Sequence, residues 1–135
     1  MQNKILGYEQ YVQKLKQEVT EISPKTYLQS TSRYPVLIDV RESQECQTGI
    51  LLGAQMIPRG LLEAKLMDMP ICQQQPKPLE WLTEQNILLY CHTGSRSALA
   101  AHSLQQMGFS KVFSLAGGVE QWRKLDLPIT NSENR

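Results

Sequence analysis

The sequence has no C-x-x-C pair and no spaced pair of histidines, and its three cysteines, Cys46, Cys72 and Cys91, are odd in number and far apart. Those absences argue against a disulfide framework and a zinc site, so no metal is expected and each thiol is judged alone. The chain also lacks the ~18 consecutive apolar residues that a membrane-spanning helix needs. Met1 to Gln10 carry Lys4 and Glu9 around only the apolar pair Ile5-Leu6, which is not a secretory segment; a cytoplasmic location and no membrane partner are expected. Excess charge is missing as well. Lys and Arg number 14 against 13 acidic residues, for a net charge of +1, so no large field draws the protein to nucleic acid. At 135 residues there is no room for two ordinary domains, so a separate cofactor domain is not expected. What remains, 41% hydrophobic and 20% charged, is the composition of a globular chain with a real core.

The opening segment places Ile5, Tyr8, Val12, Leu15, Val19 and Ile22 at alternating steps of three and four, the pattern of an amphipathic helix over 1–22. This helix is expected to be part of the domain or packed on it. The domain proper is expected over 23–130, followed by a polar tail over 131–135. Ser23-Pro24 supplies a capping hydroxyl and a proline suited to the first helical position, so a short helix should carry Tyr27 and Leu28. Val36 to Val40 reads as a strand buried on both faces. Turns should surround a short strand near Gln55 to Ile57, a short helix fits Leu61 to Met69, and Pro70 to Pro78 reads as a mobile surface loop. Ile87 to Tyr90 is a second apolar strand. After it a helix should carry Ala100, Leu104 and Met107 on one face and end at a left-handed Gly108. Lys111 to Leu115 is a third strand, Gly117-Gly118 a tight turn, and Val119 to Leu125 a closing helix. Strands alternate with helices, which points to an α/β domain with a largely parallel sheet.

In such a sheet the ligand site lies beyond the carboxyl ends of the strands. The loop Cys91-His92-Thr93-Gly94-Ser95-Arg96-Ser97 combines a thiol, a glycine, hydroxyls and an arginine between a strand and a helix. Unpaired N–H groups and the positive end of the helix dipole stabilise a thiolate there and make it nucleophilic. Gly94 allows those N–H groups to curl inward, and Arg96 adds a permanent cation for an oxyanion. Cys46 and Cys72 lack such surroundings and read as packing thiols. His102 falls opposite Ala100 and Leu104 and reads as a solvated surface histidine.

The loop resembles the active-site loop of the rhodanese-like family of single-domain thiosulfate sulfurtransferases, whose pattern is Cys, usually Arg, any, Gly, any, Arg, Ser. Leu37-Ile38-Asp39-Val40-Arg41-Glu42 resembles the family's first signature. Ile57-Pro58-Arg59-Gly60-Leu61-Leu62-Glu63 is similar to a segment of many single-domain members, and Ser114 to Val119 with Trp122 is similar to the C-terminal signature. Two departures stand out. His92 replaces the usual arginine, removing a fixed charge, and Gly49 to Ala54 loses the histidine and proline of the family's common Gly-His-Ile-Pro-Gly-Ala.

The resemblance implies a three-layer domain, a central largely parallel sheet with helices on both faces. It implies a double displacement in which Cys91 takes sulfane sulfur from thiosulfate or a related small anionic donor and passes it, through a persulfide, to a thiol or cyanide. His92, Thr93, Gly94, Ser95 and Arg96 would bind the substrate; Asp39, Arg41 and Ser97 would support the loop, the first two as an ion pair. No cofactor is required, a protein could equally be the sulfur acceptor, and a monomer or weak dimer suffices. A persulfide carrier or partner-binding module needs the same residues and remains open. Arsenate reduction has no specific support. The thiolate phosphatases of similar fold have five residues between cysteine and arginine, whereas Arg96 follows Cys91 after four, so the cradle is expected to be too small for a phosphoryl group.

Overall fold

The computed structural model describes residues 4–131, so of the polar tail expected over 131–135 only Asn131 lies among the described residues. Five strands form one sheet in the order β1-β5-β4-β2-β3: β1 Thr20–Ile22, β2 Val36–Asp39, β3 Gln55–Met56, β4 Ile87–Tyr90 and β5 Val112–Leu115. Every neighbouring pair of strands is parallel. The register runs Val36 to Asp39 beside Ile87 to Tyr90, which brings the ends of β2 and β4 level.

Alternation along the strands builds two cores. Val36, Ile38, Val40, Ile87, Leu89 and Cys91 join the first, with Leu62, Leu66, Met69, Cys72, Leu82 and the Ala98–Leu104 face of the long helix α7 Ser95–Gln106. Leu37, Leu88, Tyr90 and Leu115 join the second, with Tyr27, Ile50, Leu51, Val119 and Trp122. Because both faces are covered, the two inner strands can be apolar without a break. This is the expected three-layer arrangement. Cys91 extends the alternation of β4 by one step, so its side chain points toward α7.

The helices follow local chemistry. In α2 Pro24–Gln29 the Ser23 hydroxyl accepts from the Thr26 amide at 3.1 Å, with proline in the first turn, as the sequence suggested. Leu62–Lys65 forms α4 within the segment expected to be helical. The closing helix α8 spans Gly118–Lys124. None of the helices among the described residues is long and apolar enough to cross a membrane.

Four expectations need correction. The N-terminal helix α1 spans only Tyr8–Lys16, packs on α7 and buries Val12 and Leu15. Thr20–Ile22 is instead the edge strand β1, which pairs with β5 from Thr20 beside Phe113 to Ile22 beside Leu115. Val19 and Ile22 are buried from extended chain while Ile5 and Tyr8 are exposed, so the regular spacing joined two different elements. Secondly, Pro70 to Pro78 is not simply a loop. Pro70–Gln73 forms α5 with Cys72 fully buried, and Pro78–Thr83 forms α6; each proline occupies a first-turn position where its missing N–H costs nothing. Thirdly, Met107 is exposed, because it caps α7 at the turn that Gly108 closes at φ +106°. Lastly, His102 is half-buried with Nε2 3.3 Å from the Glu18 carboxylate, so it ties α7 to the chain between α1 and β1.

Two ion pairs lock the loops at the carboxyl end of the sheet. Asp39, fully buried, receives the Arg41 backbone amide at 2.9 Å, Nε at 3.1 Å and Nη2 at 2.8 Å. The same guanidinium donates to the carbonyls of Glu45 and Gly49, which fixes the loop after β2. Burial works against the Arg41 charge, but Asp39 outweighs it and the pKa is raised. The second pair joins α3 Ser43–Cys46 to α7: Arg96 Nη1 and Nη2 meet the two Glu45 oxygens at 2.7 and 2.8 Å. The hydrogen bond from Arg96 outweighs burial and holds Glu45 at about 2, against an ordinary 4.5.

Two outcomes follow. Asp39→Ala leaves a buried guanidinium unpaired and should lower unfolding free energy in urea by about 3–5 kcal/mol, with the Asp39→Ala/Arg41→Met double variant losing less than the two single variants together. Glu45 has its folded value below its unfolded value, so its stabilisation is complete above pH 4.5 and is lost as pH falls toward about 2. Since the pair is about a third exposed, Glu45→Gln should cost only about 1 kcal/mol at pH 7, and urea titrations should show that difference shrinking across this acid window.

Candidate active site

Cys91 is 1% exposed at the end of β4, directly before the loop that opens α7. Its sulfur accepts the amide of Gly94 at 3.1 Å and that of Ser97 at 3.4 Å. Burial by itself disfavours a thiolate; aimed amides and the first turn of a 12-residue helix act in the opposite direction, and they act more strongly where water is excluded. The thiol in turn reaches the Ser97 hydroxyl at 3.5 Å.

Backbone conformation makes this possible. Gly94 has φ +101°, a left-handed value that turns the chain after it into the first turn of α7, where Ser97 presents its N–H to the same sulfur. Outside the loop, the Val119 and Glu120 amides take the carbonyls of Cys91 and His92, both at 2.9 Å. In a trans peptide the N–H points opposite to its C=O, so the N–H groups of His92 and Thr93 are turned away from α8. Gly118 allows the close approach this requires. A Cβ there would lie 2.4 Å from the Cys91 carbonyl oxygen and 2.5 Å from that of His92.

The loop therefore gathers Cys91, Gly94 and Ser97 around one sulfur. His92 and Thr93 are exposed on its outer side, and His92 Nε2 is 3.8 Å from Glu120. Ser95 is half-buried in the first turn of α7. Arg96 was expected to offer its cation to an oxyanion, yet its fork is occupied by Glu45, and its pKa is raised chiefly by that hydrogen bond. Asp39 and Arg41 form the ion pair anticipated for them, away from the sulfur.

Sequence reasoning missed three residues. Glu45 carries no motif signal, because its proximity to Arg96 depends on the packing of α3 against α7. Gly118 belongs to the expected turn and to the C-terminal signature, neither of which places it against the Cys91 loop. Ser114 did leave a signal, a polar residue inside an apolar strand, which must find a buried partner. Its hydroxyl is 2.7 Å from that of Ser97.

The other thiols are of a different kind. Burial, followed by the charge of Asp39, pushes Cys46 up to about 12, and burial alone raises Cys72. Among the described residues no group of three His, Cys, Asp or Glu side chains could hold a metal ion.

Comparison with known proteins accords with this geometry. Residues 23–125 match the rhodanese-like domain. A sulfurtransferase of Allochromatium vinosum is 28% identical over 73% of this chain and 80% of that protein. The thiosulfate sulfurtransferase GlpE of Ectopseudomonas mendocina is 32% identical over 78% of this chain and 86% of its own. Among solved structures, a Rhodopseudomonas palustris protein of unknown function, described as a possible tyrosine phosphatase, superimposes with a TM-score of 0.75 at 28% identity, covering 96% of this chain and 99% of that one. With a domain match over most of its length and the matching sheet, this chain belongs to the rhodanese-like domain family.

Proposed function

We propose that the protein is a sulfurtransferase that carries sulfane sulfur as a persulfide on Cys91. The observation that carries this reading is the pair of backbone amides from Gly94 and Ser97, at the start of α7, directed at the buried sulfur of Cys91. The Cys91 thiolate attacks the outer sulfur of a small anionic donor such as thiosulfate. One S–S bond forms, the donor's S–S bond breaks, and its electron pair leaves with sulfite. An acceptor thiolate then attacks the outer sulfur of the persulfide, takes it away, and returns Cys91 as thiolate. The loop amides serve each anionic sulfur species in turn, as an oxyanion hole serves oxygen. Small thiols, cyanide or a protein thiol fit this second step chemically.

Mass spectrometry after incubation with thiosulfate tests the reading. The expected result is one added sulfur that maps to Cys91, disappears in Cys91→Ser, and persists in Cys46→Ser and Cys72→Ser. Addition of cyanide or a low-molecular-weight thiol should remove it and regenerate the parent mass. A stable adduct that no small acceptor removes would favour a persulfide carrier. Phosphate release from an aryl phosphate without any sulfur adduct would favour a phosphatase and overturn the proposal.

A further inference from the structure

Beneath the loop lies a chain of three buried groups that the sulfur-transfer steps above do not use in full. Cys91 Sγ is 3.5 Å from Ser97 Oγ, and Ser97 Oγ is 2.7 Å from Ser114 Oγ. Both serines are fully buried, and either hydroxyl can donate across the short contact. Ser114 belongs to β5, next to the strand that leads into Cys91, and its hydroxyl meets the loop at Ser97.

We infer that Ser114 is a positioning residue for the nucleophile, a reversible hydrogen-bond donor that sets the direction of the Ser97 hydroxyl. A hydroxyl has one proton to give. While Cys91 is a thiol, its S–H donates to Ser97, and Ser97 donates onward to Ser114. When the thiol releases its proton to solvent, both hydroxyls rotate: Ser97 now donates to the sulfur anion and its oxygen accepts from Ser114. No proton travels along the chain; only the direction of donation changes. A Ser97 hydroxyl that itself receives a hydrogen bond is the more polarised donor, and the effect is larger where water is excluded. The thiolate, and the persulfide anion that replaces it, thus gain a third donor beside the amides of Gly94 and Ser97.

This inference rests on Cys91 being the working nucleophile, but its test does not depend on any sulfur donor. The thiolate is followed by its ultraviolet absorbance against pH, taking the difference between each protein and its Cys91→Ser counterpart. Ser114→Ala removes a Ser97–Ser114 hydrogen bond from both forms, so only the polarisation of Ser97 is lost from the thiolate form and the midpoint should move upward by about 0.2–0.5 pH unit. Ser114→Thr, which restores a hydroxyl, should bring the midpoint back. In a Ser97→Ala background the Ser114→Ala change should have no further effect, because Ser114 acts only through Ser97.

An unmoved midpoint in folded Ser114→Ala, or shifts that add in the double variant, would overturn the inference. Should Ser114→Ala not fold, Ser97→Ala carries the test: its midpoint rises by at least as much, or the inference fails. Absence of any sulfur adduct on the parent protein, with the midpoint shifts as expected, would sink the sulfurtransferase reading and leave the hydrogen-bond chain standing.

Discussion

The whole site depends on one constraint: a sulfur taken out of water must find donors among peptide N–H groups. Cys91 is reached by no appreciable solvent surface, so an anion there is tolerable only if the loop supplies what water would have supplied. Two amides do so directly. The course of the loop that carries them is not set by its own residues alone. The carbonyls of Cys91 and His92, at its start, also need partners. The Val119 and Glu120 amides provide them from outside, which is why the Gly117-Gly118 turn presses so tightly on the loop that position 118 has no room for a side chain.

Charge plays a different part from the one the motif suggests. Arg41 and Arg96 are both held in forked carboxylate pairs, one deep in the protein and one near its surface. Neither guanidinium hydrogen-bonds to the sulfur; each fixes a loop in place. The deep pair anchors the chain after β2 through the carbonyls of Glu45 and Gly49, and Glu45 then reaches across to Arg96. The two pairs are therefore consecutive links running from β2 to the first turn of α7. The charges chiefly fix geometry, Arg96 acting also on Cys91 at a distance through its charge, and the donors that touch the sulfur are neutral dipoles.

What could be read from the sequence and what could not divide along physical lines. Strands with continuous apolar runs, such as Ile87 to Tyr90, announce themselves because burial on both faces leaves no polar alternative. The nucleophile loop was legible for the same kind of reason: its residues act on one another across a few positions, so spacing carries the information. Thr20–Ile22 was not legible as a strand, since a short edge strand adjoining a helix can keep the helical spacing of apolar residues while its identity is decided by the open edge of β5. Glu45 and Ser114 escaped because their partners lie 51 and 17 positions away, and periodicity says nothing about such distances.

These observations also account for the departure at His92. Were the cradle built from side-chain cations, exchanging an arginine for a histidine beside the nucleophile would weaken it directly. His92 is exposed and paired at 3.8 Å with Glu120, while the groups that touch the sulfur belong to the backbone of Gly94 and to Ser97. Backbone donors are unaffected by a change of side chain so long as the dihedral angles survive. The positions that matter most for the cradle are thus the ones that shape it, Gly94 with its left-handed φ and Gly118 with its missing Cβ, together with the hydroxyls stacked beneath the sulfur. The charged residues that make the motif conspicuous act one step further out, where they hold that shape in place.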